Sequence, residues 1–150
     1  MTSCELCSNV GGQLVHEAQK FRVIRVLDAN FPAFYRLIWA EHVAEFTDLN
    51  EADRWLCMQA VARIEEVLRR ELLPSKINLA TLGNVVPHLH WHVIARFDWD
   101  SHFPQPVWGA VQRVIEPAAV MRLSASLAQL DHSVVTALSA GLLNYTCQPT

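Results

Sequence analysis

The stretch 84–94, NVVPHLHWHVI, places histidine at three alternate positions, His88, His90 and His92. Successive side chains of an extended strand point to opposite faces, so residues two apart lie on one face, about 6.6 Å from each other. The three imidazoles therefore share a face, and the apolar residues between them share the other. This pattern predicts a strand with one side in the core and a row of histidines on its other side.

Four apolar stretches bounded by turn-forming residues predict strands of a sheet. They cover residues 21–27, 34–39, 76–81 and 89–97. Asn50 is a favourable N-cap for a long helix from Glu51 to Leu73, which Pro74 would end. A second helix is predicted from Glu116 to Leu130, followed by a short helix over 134–143. Strands, an inserted helix and further strands predict an α+β domain with a mostly antiparallel sheet.

Length and charge narrow the class of protein. A chain of 150 residues is expected to form a single domain, 1–150. Its net charge of -3 provides no basic field for a nucleic-acid backbone. We find no signal-peptide pattern in residues 1–12, and the uncharged C-terminal run is too polar for a membrane span. Four cysteines without a secretory signal then favour a cytoplasmic protein with free thiols or metal ligands.

Three interpretations of the histidine row remain open on the residues alone. The rings could be satisfied surface or core histidines without a chemical role. They could bind a metal ion in a zinc-dependent hydrolase, although three ligands along one strand do not converge easily on one ion. They could also perform nucleophilic catalysis, because a neutral imidazole attacks phosphorus and neighbouring histidines stabilise charge on phosphate oxygens.

The segment from His88 to Ile94 matches the pattern His-φ-His-φ-His-φ-φ at each position, where φ is apolar. In this the sequence resembles the histidine triad (HIT) family, and in particular hydrolases similar to diadenosine polyphosphate hydrolases. The resemblance extends over residues 28–42 and 77–79, and in total over about 4–97. It implies a five-stranded antiparallel sheet with a long central helix and a C-terminal helix, the last lying with the tail in 116–150.

The resemblance also implies roles for individual residues. His90 corresponds to the nucleophile that forms a covalent nucleotidyl-histidine intermediate, with His88 and His92 as its catalytic neighbours. His92 would in addition contact the attacked phosphate. The residues expected to bind the nucleotide are, besides His92, Asp28 at the ribose, Asn78 near the phosphates, and Asn84.

The activity implied is that of a hydrolase or nucleotidyl transferase that cleaves phosphoanhydride or phosphoramidate bonds. Its substrates would be dinucleoside polyphosphates or nucleoside phosphoramidates, without an organic cofactor, and family members commonly form homodimers. A non-catalytic module that binds nucleotide or zinc is the alternative outside the enzymes. The sequence departs from the family at Phe34, where a further histidine is frequent, and at Asn84-Val85, where Gln and then Ser or Thr are frequent. Because those positions contact the leaving group, the departures bear on substrate choice.

A second constellation is Cys4-Glu5-Leu6-Cys7. A Cys-x-x-Cys pair is typical of a redox centre or of half a zinc site, and the βα context of a redox centre is missing here. The family resemblance implies that His42 and His88 complete the zinc site. Such a Cys₂His₂ set would be closed and structural. An unoccupied pair of exposed thiols is the alternative.

Overall fold

A five-stranded antiparallel sheet lies at the centre of the protein, whose computed structural model describes residues 4–141. The strands are β1 (Gln13–Glu17), β2 (Phe21–Arg25), β3 (Phe34–Trp39), β4 (Lys76–Ala80) and β5 (His90–Arg96). They are arranged in the order β1-β2-β3-β5-β4, with every neighbouring pair antiparallel. The α+β class and the five-stranded sheet expected from the sequence are confirmed.

Three α-helices accompany the sheet. They are α1 (Glu5–Ser8), α2 (Glu51–Leu72) and α3 (Leu127–Gly141). Two short 3-10 turns, Phe46–Asp48 and Ala119–Arg122, lie in the connections. No helix among residues 4–141 is long and apolar enough to cross a membrane.

The predicted long helix is confirmed as α2. The Asn50 side chain caps it by accepting the Asp53 N–H at 2.9 Å. Acidic residues in its first turn and Arg69 and Arg70 in its last turn complement the helix dipole. Leu73 then adopts a left-handed conformation, with φ of 48°, and Pro74 cannot continue the helix.

The two faces of the sheet have different coverings. One face packs on α2 and α3 in the main core, to which β3 contributes Tyr35, Leu37 and Trp39. The opposite face carries Ile24 and Ile38, against which Leu6 of α1 packs. The two long helices thus leave the second face to the N-terminal arm and the loops.

The helix predicted from Glu116 to Leu130 is wrong in its bounds. Residues 116–126 contain only the short 3-10 turn Ala119–Arg122, and the helix begins at Leu127. Pro117 lacks an N–H and disfavours helical backbone at Glu116. The Ser126 hydroxyl accepts the Gln129 N–H at 3.2 Å, which gives α3 its start.

The remaining predictions of secondary structure agree with the structure to within two residues at each strand end. The short C-terminal helix predicted over 134–143 is part of α3 as far as Gly141, and its last two residues lie outside the described part of the chain. β1 had no prediction from the residue pattern. It is a five-residue edge strand with no fully buried side chain, and therefore lacks a clear apolar alternation.

Candidate active site and metal centre

β5 directs its histidines to the face of the sheet that α2 and α3 leave uncovered. Val93 and Ala95 point into the main core, as the alternation in the sequence predicts. His90 lies opposite Ile38 of β3, and His92 lies opposite Arg36. The two rings are 4.9 Å apart, centroid to centroid, and both are buried.

A hydrogen bond fixes the tautomer of His90. Its Nδ1 lies 2.6 Å from the carbonyl oxygen of His88. Because a carbonyl oxygen only accepts, Nδ1 must carry the hydrogen and Nε2 the lone pair. Burial lowers the pKa of His90, so the ring is neutral near pH 7. His90 is therefore a neutral imidazole whose Nε2 carries the lone pair and is the candidate nucleophile.

His92 lies among aromatic rings and one cation. Phe34 approaches it edge-on at 5.4 Å and Trp108 at 5.1 Å, centroid to centroid. Burial, the charge of Arg36 and the neighbouring His90 lower the pKa of His92 to about 3. Its Nδ1 is buried and has no hydrogen-bond partner among residues 4–141. His92 is thus a neutral ring with an unused polar atom at the site.

His88 precedes β5, and its ring faces the N-terminal cysteines. Its Nε2 donates to the backbone oxygen of Trp39 at 2.7 Å, which leaves the lone pair on Nδ1. That Nδ1 faces Cys4 and Cys7 at 3.4 Å each and His42 at 3.3 Å. The structure thus brings His88 to the predicted metal ligands, while its carbonyl group contacts His90.

The four predicted metal ligands, Cys4, Cys7, His42 and His88, form one cluster. Their ligand atoms all lie within 4.8 Å of one another. A zinc ion about 2.3 Å from sulfur and about 2.0 Å from nitrogen gives tetrahedral edges of about 3.3 Å between nitrogens and about 3.5 Å between nitrogen and sulfur. The observed separations of 3.3 and 3.4 Å fit such an ion.

The other residues predicted to bind the nucleotide, Asp28, Asn78 and Asn84, lie on three different segments of the chain. Asp28 follows β2, where its Oδ1 accepts the N–H groups of Asn30 and Phe31 and stabilises a turn. Asn78 of β4 lies opposite Ile94, on the face that carries His90 and His92. Its Oδ1 accepts a hydrogen bond from Arg96 at 2.7 Å. Asn84 is exposed in the loop before His88.

A buried ion pair, which the sequence pattern did not reveal, holds the loop after β5. Arg96 binds Asp100 through two nitrogens at 2.8 and 3.0 Å, and each side chain is 2% exposed. Asp100 also accepts backbone N–H groups of the loop, including that of His102. His102 is also buried, beside Phe31. Arg96, Asp100 and His102 are close in sequence, but Arg96 also contacts Asn78 and His102 contacts Phe31, so the local sequence does not show that the group is buried.

Comparison with known proteins identifies the fold. Residues 8–99 match the HIT domain family. A histidine triad protein from Bradyrhizobium japonicum is 28% identical, with a TM-score of 0.65 and coverage of 87% of this chain and 90% of that one. A histidine triad protein from Marinobacter aquaeolei is 22% identical, with a TM-score of 0.69 and coverage of 92% and 96%.

A Zn-bound histidine triad family protein from Mycobacterium smegmatis is 18% identical, with a TM-score of 0.58 and coverage of 91% and 94%. A search of curated protein sequences returned no significant match. The match to the family extends over more than half of the chain and includes β5 with its histidine row. This chain belongs to the HIT domain family.

Proposed function

We propose that this protein is a hydrolase or nucleotidyl transferase that acts through a covalent nucleotidyl-histidine intermediate on His90. The substrates proposed are dinucleoside polyphosphates and nucleoside phosphoramidates, the class that family resemblance implies. The single observation that supports this most is the 2.6 Å hydrogen bond from His90 Nδ1 to the His88 carbonyl. It directs the lone pair to Nε2 in a buried, neutral ring, as a nucleophile requires.

The reaction would proceed in two steps at one phosphorus atom. His90 Nε2 forms a bond to phosphorus, while the bond from phosphorus to the leaving oxygen or nitrogen breaks and the leaving group takes up a proton. A water molecule then attacks the same phosphorus and loses a proton as the P–N bond breaks. Nucleoside monophosphate is released, and His90 returns to its neutral form. His92, next to His90, is suited to contact the phosphate oxygens in both steps.

Zinc is proposed as a structural ion at Cys4, Cys7, His42 and His88. The Cys₂His₂ donor set, the ligand separations and the lone pair on His88 Nδ1 support it. The Zn-bound relative from Mycobacterium smegmatis makes zinc a reasonable choice of ion. Bound there, the ion would tie the N-terminal arm to the residue whose carbonyl orients His90.

The same cluster favours a second candidate function, that of a non-catalytic zinc-binding module. A zinc-dependent hydrolase that uses the histidine row itself has less support. Among the described residues, the one group of side chains suited to a metal contains neither His90 nor His92. An ion held by two cysteines and two histidines has no open position for water or substrate.

A substrate panel tests the proposed activity and separates the candidates. Wild type and His90→Asn are assayed with diadenosine polyphosphates and with adenosine phosphoramidate, with and without chelator. The nucleophile proposal expects turnover by wild type, retention of activity after brief chelation, and loss of at least about 1,000-fold in His90→Asn. Turnover that stops with chelator and is insensitive to His90→Asn would support metal catalysis. Absence of turnover on the whole panel would support the binding module.

We also propose that the partners are a small nucleotide and a second copy of this chain, since family members commonly form homodimers. Sedimentation equilibrium of the full chain measures the second point directly. A mass that stays at one chain over the accessible concentration range would contradict it.

A further inference from the structure

Arg36 occupies an unusual place for an arginine. It lies on β3, in direct register with His92 of β5 and with Ile24 of β2 on its other side. Side chains that oppose each other in an antiparallel pair have Cβ atoms about 4.5–5.5 Å apart. Arg36 therefore stands beside the histidine row, on the face of the sheet where the proposed chemistry would occur.

The other arginines on the sheet all have partners. Arg25 binds Asp131 at 3.0 Å, and Arg96 binds Asp100. Arg22 donates to the backbone oxygens of Leu6 and Asn9. Arg36 is half-buried, yet within residues 4–141 no carboxylate oxygen lies within 4.0 Å of it and it makes no hydrogen bond. Among the arginines of the five strands, it is the one that the described protein groups leave unmatched.

Two buried polar atoms at this position lack partners in the described chain. One is Nε of Arg36 and the other is Nδ1 of His92, and they belong to residues in direct register. A buried donor without a partner is unfavourable, and native structures rarely retain one without a reason. The charge of Arg36 also acts on the rings of His90 and His92, whose pKa values it lowers. An anion bound over this face of the sheet, beside Arg36 and His92, would satisfy the guanidinium.

A phosphate group is suited to this position. A guanidinium presents parallel N–H donors that match two oxygens of one phosphate group. We propose that Arg36 binds the non-bridging oxygens of the phosphoryl group that His90 attacks, an inference that rests on the proposed function. Arg36 is then a substrate-binding residue. Its guanidinium contacts the negatively charged oxygens of the same phosphate group that reacts with His90.

The competing explanation is that Arg36 responds to Glu5. Among the described residues, Glu5 of α1 is the acid whose charge acts on the guanidinium, and a movement of α1 could form an ion pair. In that case Arg36 would hold the N-terminal arm and would not bind substrate. The two explanations differ in what each variant does to nucleotide affinity.

Calorimetric titration with AMP tests the proposal without requiring turnover. We expect Arg36→Gln to weaken AMP binding by about 10- to about 100-fold. Arg36→Lys keeps the positive charge but loses the parallel N–H donors of the guanidinium, so its AMP affinity should lie between those of Arg36→Gln and wild type. Adenosine, which has no phosphate, should bind equally to wild type and Arg36→Gln. The matched control is Arg63→Gln, on the exposed side of α2, which should leave AMP affinity unchanged.

Several results would overturn the proposal. These are unchanged AMP affinity in folded Arg36→Gln, an equal loss in Glu5→Gln and Arg36→Gln, or no AMP binding by wild type. Circular dichroism and thermal melting establish whether Arg36→Gln is folded, and Arg36→Lys carries the comparison if it is not. If turnover is lost in His90→Asn but AMP affinity is unchanged in Arg36→Gln, this inference fails and the proposed function stands. If Arg36→Gln weakens AMP binding but wild type turns over no substrate of the panel, the proposed function fails and the role of Arg36 in phosphate binding stands.

Discussion

Backbone carbonyl groups set the chemistry of two histidines that are only two residues apart. The Trp39 carbonyl takes the Nε2 hydrogen of His88 and directs its Nδ1 to the cysteines. The His88 carbonyl takes the Nδ1 hydrogen of His90 and directs its Nε2 away from the backbone. One residue type is thus a candidate metal ligand at one position and a candidate nucleophile two residues later.

The buried pair of Arg96 and Asp100 gives a prediction for stability. Removal of one partner from a buried pair leaves the other charge without compensation. We expect Asp100→Asn to lower the free energy of unfolding at pH 7 by about 3 kcal/mol. Urea denaturation measures this. The exposed Arg63–Glu66 pair is the control, since Glu66→Gln should change stability by less than about 0.5 kcal/mol.

The same variant has a predicted pH dependence. Burial raises the pKa of Asp100, but hydrogen bonds from Arg96 and from backbone N–H groups outweigh it and lower the pKa below the usual 3.8. A carboxyl group with a lowered folded pKa stabilises the fold above its unfolded pKa and loses this effect as pH falls. The difference between wild type and Asp100→Asn should thus be constant down to about pH 4 and shrink below it. A difference that grows in acid would contradict this.

At the residue scale, the sequence predicts some contacts and cannot predict others. The shared face of His90 and His92 follows from strand alternation alone. The tautomers do not, because they depend on backbone carbonyls that the fold brings into contact. Arg36 and Trp108 reach His92 from another strand and from a distant loop, so no spacing in the sequence relates them.

At the scale of elements, α1 connects the N-terminal arm to the site. It has only four residues, too few for independent stability, and Leu6 is its buried anchor. The Arg22 guanidinium donates to the Leu6 carbonyl at 2.7 Å and holds the arm on the sheet. Two of the four proposed zinc ligands therefore come from a segment whose position depends on tertiary contacts.

Metal content tests this arrangement. We expect the purified full chain to contain about one zinc ion and Cys7→Ser to contain much less, because a hydroxyl group is a poor zinc ligand. Elemental analysis after gel filtration gives the ratio, and a thermal melt should show Cys7→Ser to be less stable. Cys57→Ala removes a buried thiol in the main core and should keep its zinc. Zinc-free wild type, or equal zinc in Cys7→Ser, would contradict the assignment.

The predictability of elements follows the strength of their local signals. α2 was predictable because Asn50, Pro74 and a long amphipathic stretch agree on its bounds. The start of α3 was predicted wrongly, because the prediction did not take account of Pro117 and of the capping Ser126, which place it at Leu127. β1 lies at the sheet edge and has no fully buried side chain. The convergence of Cys4 and Cys7 with His42 was expected only through family resemblance.

At the scale of the whole molecule, the main core and the candidate site lie on opposite faces of the sheet. Its core face, covered by α2 and α3, contains most of the buried apolar residues. Its other face holds His90, His92 and Arg36, with the cluster of candidate metal ligands at one end and the Arg96–Asp100 loop at the other end of β5. Substitutions on the second face can therefore alter function while the main core remains intact.

The covalent intermediate is the central claim and can be measured directly. Wild type is mixed with a diadenosine polyphosphate, quenched in base at short times to preserve the P–N bond, and examined by intact-protein and peptide mass spectrometry. We expect one nucleoside monophosphate group on the peptide that contains His90, and none in His90→Asn. Wild type that turns over its substrate without any such adduct, or an adduct of equal yield in His90→Asn, would contradict the assignment of His90 as the nucleophile.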